Sequence, residues 1–185
     1  MSLFRRAPKS DQDAVTEERP LVDPRAILPE RALASIPADQ RGGPAEQLED
    51  GRFIVVGRTI VMITDDKGVV DSGFWHEVQY ASWDATTRTF RLVWSQPDRP
   101  AIIGRTMTDN PREVMEKITH RVDATIVATR RFRTSTGVNV AATVRRRVDG
   151  ELFSAVIATG PISKADEEKA YALEEDLHRE LNMEK

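Results

Sequence analysis

Short apolar and β-branched runs, separated by turn-forming residues, fill the middle of the chain. Apolar and polar residues alternate over residues 88–94, so Phe90, Leu92 and Trp94 point to one side of a strand. Similar runs recur between residues 53 and 158, and the turn residues at 65–68 and 149–150 are typical of β-hairpins. The pattern predicts eight or nine strands, joined mostly by hairpins.

The most aromatic of these runs is residues 74–83, with the sequence FWHEVQYASW. Aromatic and β-branched residues suit the pleated, half-buried surface of a sheet, so we predict one continuous strand here. Apolar runs on both sides place this strand near the middle of its sheet. Trp75 and Trp83 would then share a face, because an even number of positions separates them.

A first long helix is predicted over residues 110–122. Asn110 is a capping residue, and the following Pro111 suits the first turn of a helix. Apolar residues then recur at fourfold spacing and predict a buried stripe, formed by Val114, Ile118 and Val122.

A second long helix is predicted to begin after Ser163. Asp166 follows at the spacing of a capping box, with Asp in the usual Glu position. The apolar residues of this segment fall on one helical face, formed by Ala170, Leu173, Leu177 and Leu181.

The N-terminal part is more polar. Residues 1–23 hold few apolar residues, so we expect a disordered tail. Residues 24–50 are predicted to form a linker with one short helix, bounded by Pro29 and Pro37. Residues 51–185 are predicted to form a single α+β domain.

Composition narrows the protein class. The chain has 185 residues and a formal charge of −3. It has no cysteine, and this excludes disulfides and thiolate metal sites. No apolar run reaches the roughly 20 residues needed to span a bilayer. We therefore expect a cytoplasmic protein.

Motifs for catalysis are missing from the sequence. No nucleophile elbow, phosphate loop or dinucleotide fingerprint occurs, and the three histidines lack the spacing of metal ligands. We predict no catalytic residue, cofactor or metal site. His76, Glu77 and Asp84 are the only clustered acid–base candidates, should the protein be an enzyme.

Charge is uneven along the chain. Residues 121–147 hold seven arginines and a single acid, Asp123. If residues 135–137 form a hairpin turn, four of the arginines share one side of the strands. We call this set the arginine face and predict that it binds an anionic ligand or a partner; it consists of Arg131, Arg133, Arg145 and Arg147.

Three alternatives remain for the arginine face. The favoured interpretation is that the acidic final helix neutralises it through surface ion pairs, each contributing about 0–1 kcal/mol. It could instead bind an acidic protein or peptide, or else nucleic acid or anionic lipid. Nucleic acid is disfavoured because no aromatic residues except Phe132 are interleaved with the arginines. Leu3-Phe4 beside Arg5-Arg6 could make weak contact with an anionic membrane, but a solvated tail is the favoured interpretation of this segment.

The strand order over residues 53–106, followed by a helix at 110–122, resembles a PH-like or GRAM-like domain. Over residues 29–160 the chain is also similar to a family of uncharacterised actinobacterial proteins with such a domain. The motifs that carry the second likeness are Glu30-Arg31-Ala32-Leu33-Ala34, Trp75-His76-Glu77-Val78, Ala81-Ser82-Trp83-Asp84 and Arg145-Arg146-Arg147-Val148-Asp149-Gly150.

The resemblance implies a bent, partly closed antiparallel β-barrel or sandwich, capped by a helix, over about residues 51–122. The strands after residue 122 would extend the barrel or form a second small sheet, followed by the C-terminal helix. PH-like domains can hold phosphoinositide headgroups or acidic peptides, although the arginine face lies outside the segment matching the usual lipid pocket. We expect a non-enzymatic protein-binding or scaffolding module; the alternatives are anionic-ligand or membrane-lipid binding through the arginine face, or an enzyme with an unrecognised site.

Overall fold

The computed structural model describes residues 28–183, which form an α+β structure of three antiparallel sheets and three α-helices. The tail predicted at residues 1–23 lies outside this range. Among residues 28–183, no helix combines the length and apolar character needed to cross a membrane.

The first sheet has four strands in sequential order. They are β1 (Ala45–Gln47), β2 (Phe53–Val56), β3 (Ile60–Thr64) and β4 (Val69–Phe74). The turn between β3 and β4 is held by Asp65, whose Oδ1 accepts the N–H groups of Lys67 and Gly68 at 2.7 and 3.0 Å. The hairpin predicted at residues 65–68 is therefore confirmed.

Before the first sheet lies a short helix, α1 (Glu30–Ser35). Ala32 and Ile36 are buried, and Ile36 packs against the side of the first sheet that carries Phe53 and Val55. Strand β1 lies in the segment predicted to be a linker, so that prediction was wrong at residues 45–47. Its three residues are too few to show an alternating pattern, and pairing with β2 holds them in place.

The second sheet has three strands, β5 (Val78–Asp84), β6 (Thr89–Trp94) and β7 (Ile102–Arg105), again in sequential order. Phe90, Leu92 and Trp94 are buried, as the alternation along β6 predicts.

Residues 74–83 are not one strand near the middle of a sheet, contrary to the prediction: β4 and β5 each lie at the edge of a sheet. A 3₁₀ turn over Trp75–Glu77 separates β4 from β5 and carries the chain from the first sheet to the second. The Glu77 carboxylate holds this turn by accepting the Phe74 N–H at 2.8 Å. Trp75 and Trp83 both contribute to the same core, but from two different elements.

The first and second sheets enclose the main hydrophobic core. A β-bridge between Leu48 and Thr106 joins their far edges, although the described residues form no closed barrel. Helix α2 (Arg112–Asp123) packs against this core through the predicted stripe of Val114, Ile118 and Val122. Asn110 does not cap it: the helix begins after Pro111 without a side-chain cap.

The strands after residue 122 form a separate third sheet and do not extend the first two sheets. It consists of β8 (Ile126–Arg133), β9 (Asn139–Arg146) and β10 (Leu152–Ala158), with β9 in the middle. Helix α3 (Lys164–Glu180) packs on one side of it and buries Leu177 against Ala142 and Val144. The predicted cap is confirmed, because Ser163 Oγ accepts the Asp166 N–H at 3.2 Å.

Candidate functional site

The two sides of the third sheet differ in what covers them. The side with Ala142 and Val144 lies under α3, and Arg130 on that side forms an ion pair of 2.6 Å with Glu180. Among residues 28–183 this is the one ion pair between α3 and the arginine-rich strands. Arg131 and Arg145 belong to the opposite side, so the acidic helix does not neutralise them.

The side of the third sheet that faces away from α3 faces β5 and α2. A cleft of about 540 Å³ lies between this side of the sheet and those two elements. We refer to it as the cleft. Its walls touch at one end, where the Phe153 ring meets His76 edge-on at 5.7 Å between ring centroids. Its lining is mostly apolar or uncharged and includes Gln79, Tyr80, Ala81, Ile118, Ala141, Thr143 and Ile157.

Arg145 joins the two walls of the cleft. Its side chain crosses from β9 to the start of β5 and is only 3% exposed. The Nη1 group donates to the carbonyl oxygens of Val78 and, at 3.3 Å, of His76, and Nη2 donates to that of Gln79 at 3.4 Å.

The hydrogen-bonding groups of the buried Arg145 guanidinium are not all paired. Within residues 28–183 its Nε has no hydrogen-bond partner and no carboxylate lies within ion-pair distance. Burial lowers the pKa of Arg145, and the charge of Asp123 partly opposes that effect. Arginine keeps its proton regardless, so among the described residues Arg145 is a buried cation with no carboxylate in ion-pair contact, although the charge of Asp123 acts on it.

Arg131 also lines the cleft, but it is exposed. It forms no hydrogen bond or ion pair with another described residue. Between Arg131 and Arg145 lies the buried Thr143, whose hydroxyl is 2.9 Å from that of Thr129. The cleft therefore holds two cations and a hydroxyl on one wall.

The other two arginines of the arginine face lie outside the cleft. Arg133 is at the hairpin end, where its Nε donates to the Gly137 carbonyl oxygen at 3.1 Å. Arg147 lies in a second groove of about 590 Å³, with its guanidinium 5.2 Å from the Phe153 ring centroid and 3.5 Å from Glu151. The arginine face is therefore divided, with Arg145 between the two grooves.

The acid–base candidates do not converge on one point. His76 stacks on Phe74 with 5.4 Å between ring centroids, and burial lowers its pKa. Glu77 holds the 3₁₀ turn, and Asp84 lies at the far end of β5, where its Oδ1 accepts the N–H groups of Thr86 and Thr87. No cluster of three or more His, Cys, Asp or Glu side chains suited to a metal ion occurs within residues 28–183.

A larger cavity, of about 720 Å³, lies elsewhere, between the loop at residues 41–44 and α2. Charged side chains of both signs line it. They are Asp39, Arg41, Arg58, Glu113, Glu116, Lys117 and Arg121.

No protein-family model matches the chain, and no curated protein matches it at a significant level. The family suggested by the sequence motifs therefore remains a prediction.

Proposed function

We propose that this protein is a PH-like protein-binding module that holds an extended segment of a partner protein in the cleft. The PH-like part of the proposal is supported by residues 45–123. There a four-stranded and a three-stranded antiparallel sheet enclose one core, followed by a helix that packs its apolar stripe on that core. The cytoplasmic location expected from the sequence is part of the proposal.

The free edge of β5 is the observation that carries the proposal. Among the described residues, β5 pairs with β6 alone. Arg145 already occupies the Val78 and Gln79 carbonyl oxygens, so the part of the edge from Tyr80 onward is the part left for a ligand. Unpaired strand edges present N–H and C=O groups that another extended segment can bind. In this protein the edge lies beside an open cleft, and Tyr80 in β5 is 45% exposed.

The opposite wall suits the side chains of such a segment. Ala141 and Ile157 are paired neighbours on β9 and β10, and both line the cleft. Small and aliphatic side chains leave room for a ligand and offer apolar contact area. The cleft therefore combines backbone hydrogen-bonding groups on one wall with an apolar surface on the other.

Filling the cleft tests this proposal. Ala141→Trp places a large side chain in the cleft, whereas the matched variant Ala34→Trp places it on the exposed side of α1. Peptides selected from a display library against the wild-type protein should bind Ala34→Trp equally and lose binding to Ala141→Trp. Bound peptide should also slow hydrogen exchange of the β5 amides. Peptides that bind Ala141→Trp as well as wild type would contradict the proposal.

A further inference from the structure

We propose that the bound segment carries acidic side chains on the side facing the third sheet, and that Arg131 and Arg145 receive their carboxylates. The inference rests on the proposed function and deepens it, because it names the chemistry of the segment.

The first argument is the missing counter-ion of Arg145. Buried charges in proteins are normally paired and fully hydrogen-bonded, because leaving water costs several kcal/mol per ion. Arg145 is bonded to carbonyl oxygens alone, and its buried Nε has no partner within the described residues. A carboxylate in the cleft would place the missing negative charge beside this guanidinium.

The second argument is the spacing along β9. Arg131 pairs with Ala141, which lies four positions before Arg145, so the two arginines start about 13 Å apart along the strands. Thr143 lies halfway between them, but its hydroxyl is already paired with Thr129, which donates its own proton to the Ala142 carbonyl oxygen. Alternate side chains of an extended segment are about 7 Å apart, so acids four positions apart would face Arg131 and Arg145.

The charge of the cleft agrees with this. Two arginines and one acid, the exposed Asp123 at the end of α2, line the cleft, so the lining carries one net positive charge. Acidic α3 lies on the other side of the third sheet and does not compete for the same cations.

A protein segment fits this geometry better than a lipid surface. A bilayer is wide and flat, and it could contact exposed cations such as Arg131 and Arg133. Arg145 is 3% exposed and lies between β9 and β5, out of reach of a flat surface. Membrane binding is therefore the competing outcome of the experiment.

The experiment compares two fluorescein-labelled peptides, Ac-Val-Glu-Val-Glu-Val-Glu-NH₂ and the same peptide with Gln for Glu, by fluorescence polarisation at low salt. The Glu peptide should bind at least about tenfold tighter to wild type, and added salt should weaken it. In Arg131→Gln the affinity for the Glu peptide should fall toward that for the Gln peptide. The matched variant Arg133→Gln should keep the difference, because Arg133 lies outside the cleft.

Arg145 is tested in the unaltered protein, since its replacement could disturb the fold. The ¹⁵N–¹H resonance of its Nε group should shift on addition of the Glu peptide and stay unchanged with the Gln peptide. An unmoved resonance would remove Arg145 from the proposed site.

Three results would overturn the inference. The first is equal affinity for the Glu and Gln peptides in wild type, together with loss of binding of both peptides in Ala141→Trp. This result would mean that the cleft binds peptides without recognising acidic side chains. The second is no binding of the Glu peptide at millimolar concentration, whatever the display selection gives. The third is Arg131-dependent binding to phosphatidylserine vesicles without a preference for the Glu peptide.

Discussion

Glu46, in strand β1, is a buried acid in the first sheet. It is 5% exposed, and its only described partner is Thr108, whose N–H and hydroxyl donate to it at 3.1 and 3.0 Å. Burial raises the pKa of Glu46, and the hydrogen bonds from Thr108 offset part of that rise. The folded protein therefore holds this proton more tightly than the unfolded chain does.

This difference gives a pH dependence with a definite sign. Above the ordinary pKa of 4.5 the unfolded chain releases the proton first, so the contribution of Glu46 to stability falls as pH rises toward its raised pKa. Glu46→Gln removes that fall, because the amide does not ionise and can still pair with Thr108. We expect the variant to gain stability relative to wild type as pH rises, measured by urea unfolding between about pH 4 and pH 8.

The control for this prediction is Glu113→Gln, which removes one carboxylate charge from the exposed surface of α2 and so shows the effect of a charge change without burial. Parallel profiles for Glu46→Gln and wild type would show that the burial of Glu46 has no effect on stability.

Between elements, Arg145 is the main polar contact of the third sheet with β5. The planar guanidinium donates from two separate nitrogens to the carbonyl oxygens of His76, Val78 and Gln79, whereas the three donors of a lysine ammonium all sit on one nitrogen. Hydrogen bonds from charged donors contribute about 1.5–3 kcal/mol each before the cost of desolvation is counted. The cost of removing the Arg145 charge from water is also large. We therefore expect the stability of Arg145 variants to depend more on the shape of the side chain than on its charge.

We therefore predict an order of stability in urea unfolding: wild type, then Arg145→Met, then Arg145→Lys. Met loses the carbonyl contacts but also the buried charge, at a net cost of about 1–3 kcal/mol. Lys keeps the buried charge while losing part of the hydrogen bonding. Arg133→Met, at the exposed hairpin end, should change stability by less than about 0.5 kcal/mol. A lysine variant as stable as wild type would show that charge alone suffices.

How well the sequence predicts each element depends on how local its cause is. Helix α2 and strand β6 were predicted correctly because the spacing of Val114, Ile118 and Val122, or of alternating residues in β6, needs no knowledge of distant partners. The break at Trp75–Glu77 has no proline or glycine to mark it. It depends on the Glu77 contact with the Phe74 N–H and on Trp75, whose indole donates to the Gly57 carbonyl oxygen at 3.3 Å.

The candidate site shows the same division. Strand parity correctly placed Arg131 and Arg145 on one side of the third sheet, and the same parity would have added Thr143. It could not predict that Arg145 is buried against β5 or that Arg147 lies in another groove, because both follow from how two sheets pack. The contributions of Gln79 and Ile118 to the cleft were missed for the same reason.

At the scale of the whole molecule, the described residues contain separate hydrophobic cores. The main one lies between the first two sheets and α2, and another lies between the third sheet and α3 around Leu177. The contacts between these regions include Arg145, the Phe153–His76 pair and the short connection after α2. This arrangement predicts that the third sheet and α3 can lose stability without the main core.

Leu177→Ala tests this prediction. Leu177 is fully buried, and truncating a buried leucine to alanine costs about 2–5 kcal/mol. Hydrogen exchange should accelerate in β9 and β10, while the amides of β2 and β3 keep their wild-type protection. The matched variant is Leu92→Ala, which removes an equally buried leucine from the main core and should accelerate exchange in the first two sheets.

The pattern of exchange across the two variants decides how the cleft is held. Faster exchange confined to the third sheet in Leu177→Ala would mean that one wall of the cleft can loosen while β5 stays ordered, so that ligand affinity depends on the packing of α3. Uniform acceleration in both variants would mean that Arg145 and the Phe153–His76 contact couple the cores into one cooperative unit. In that case the cleft would open only when the whole molecule unfolds, and a partner segment would have to enter a preformed site.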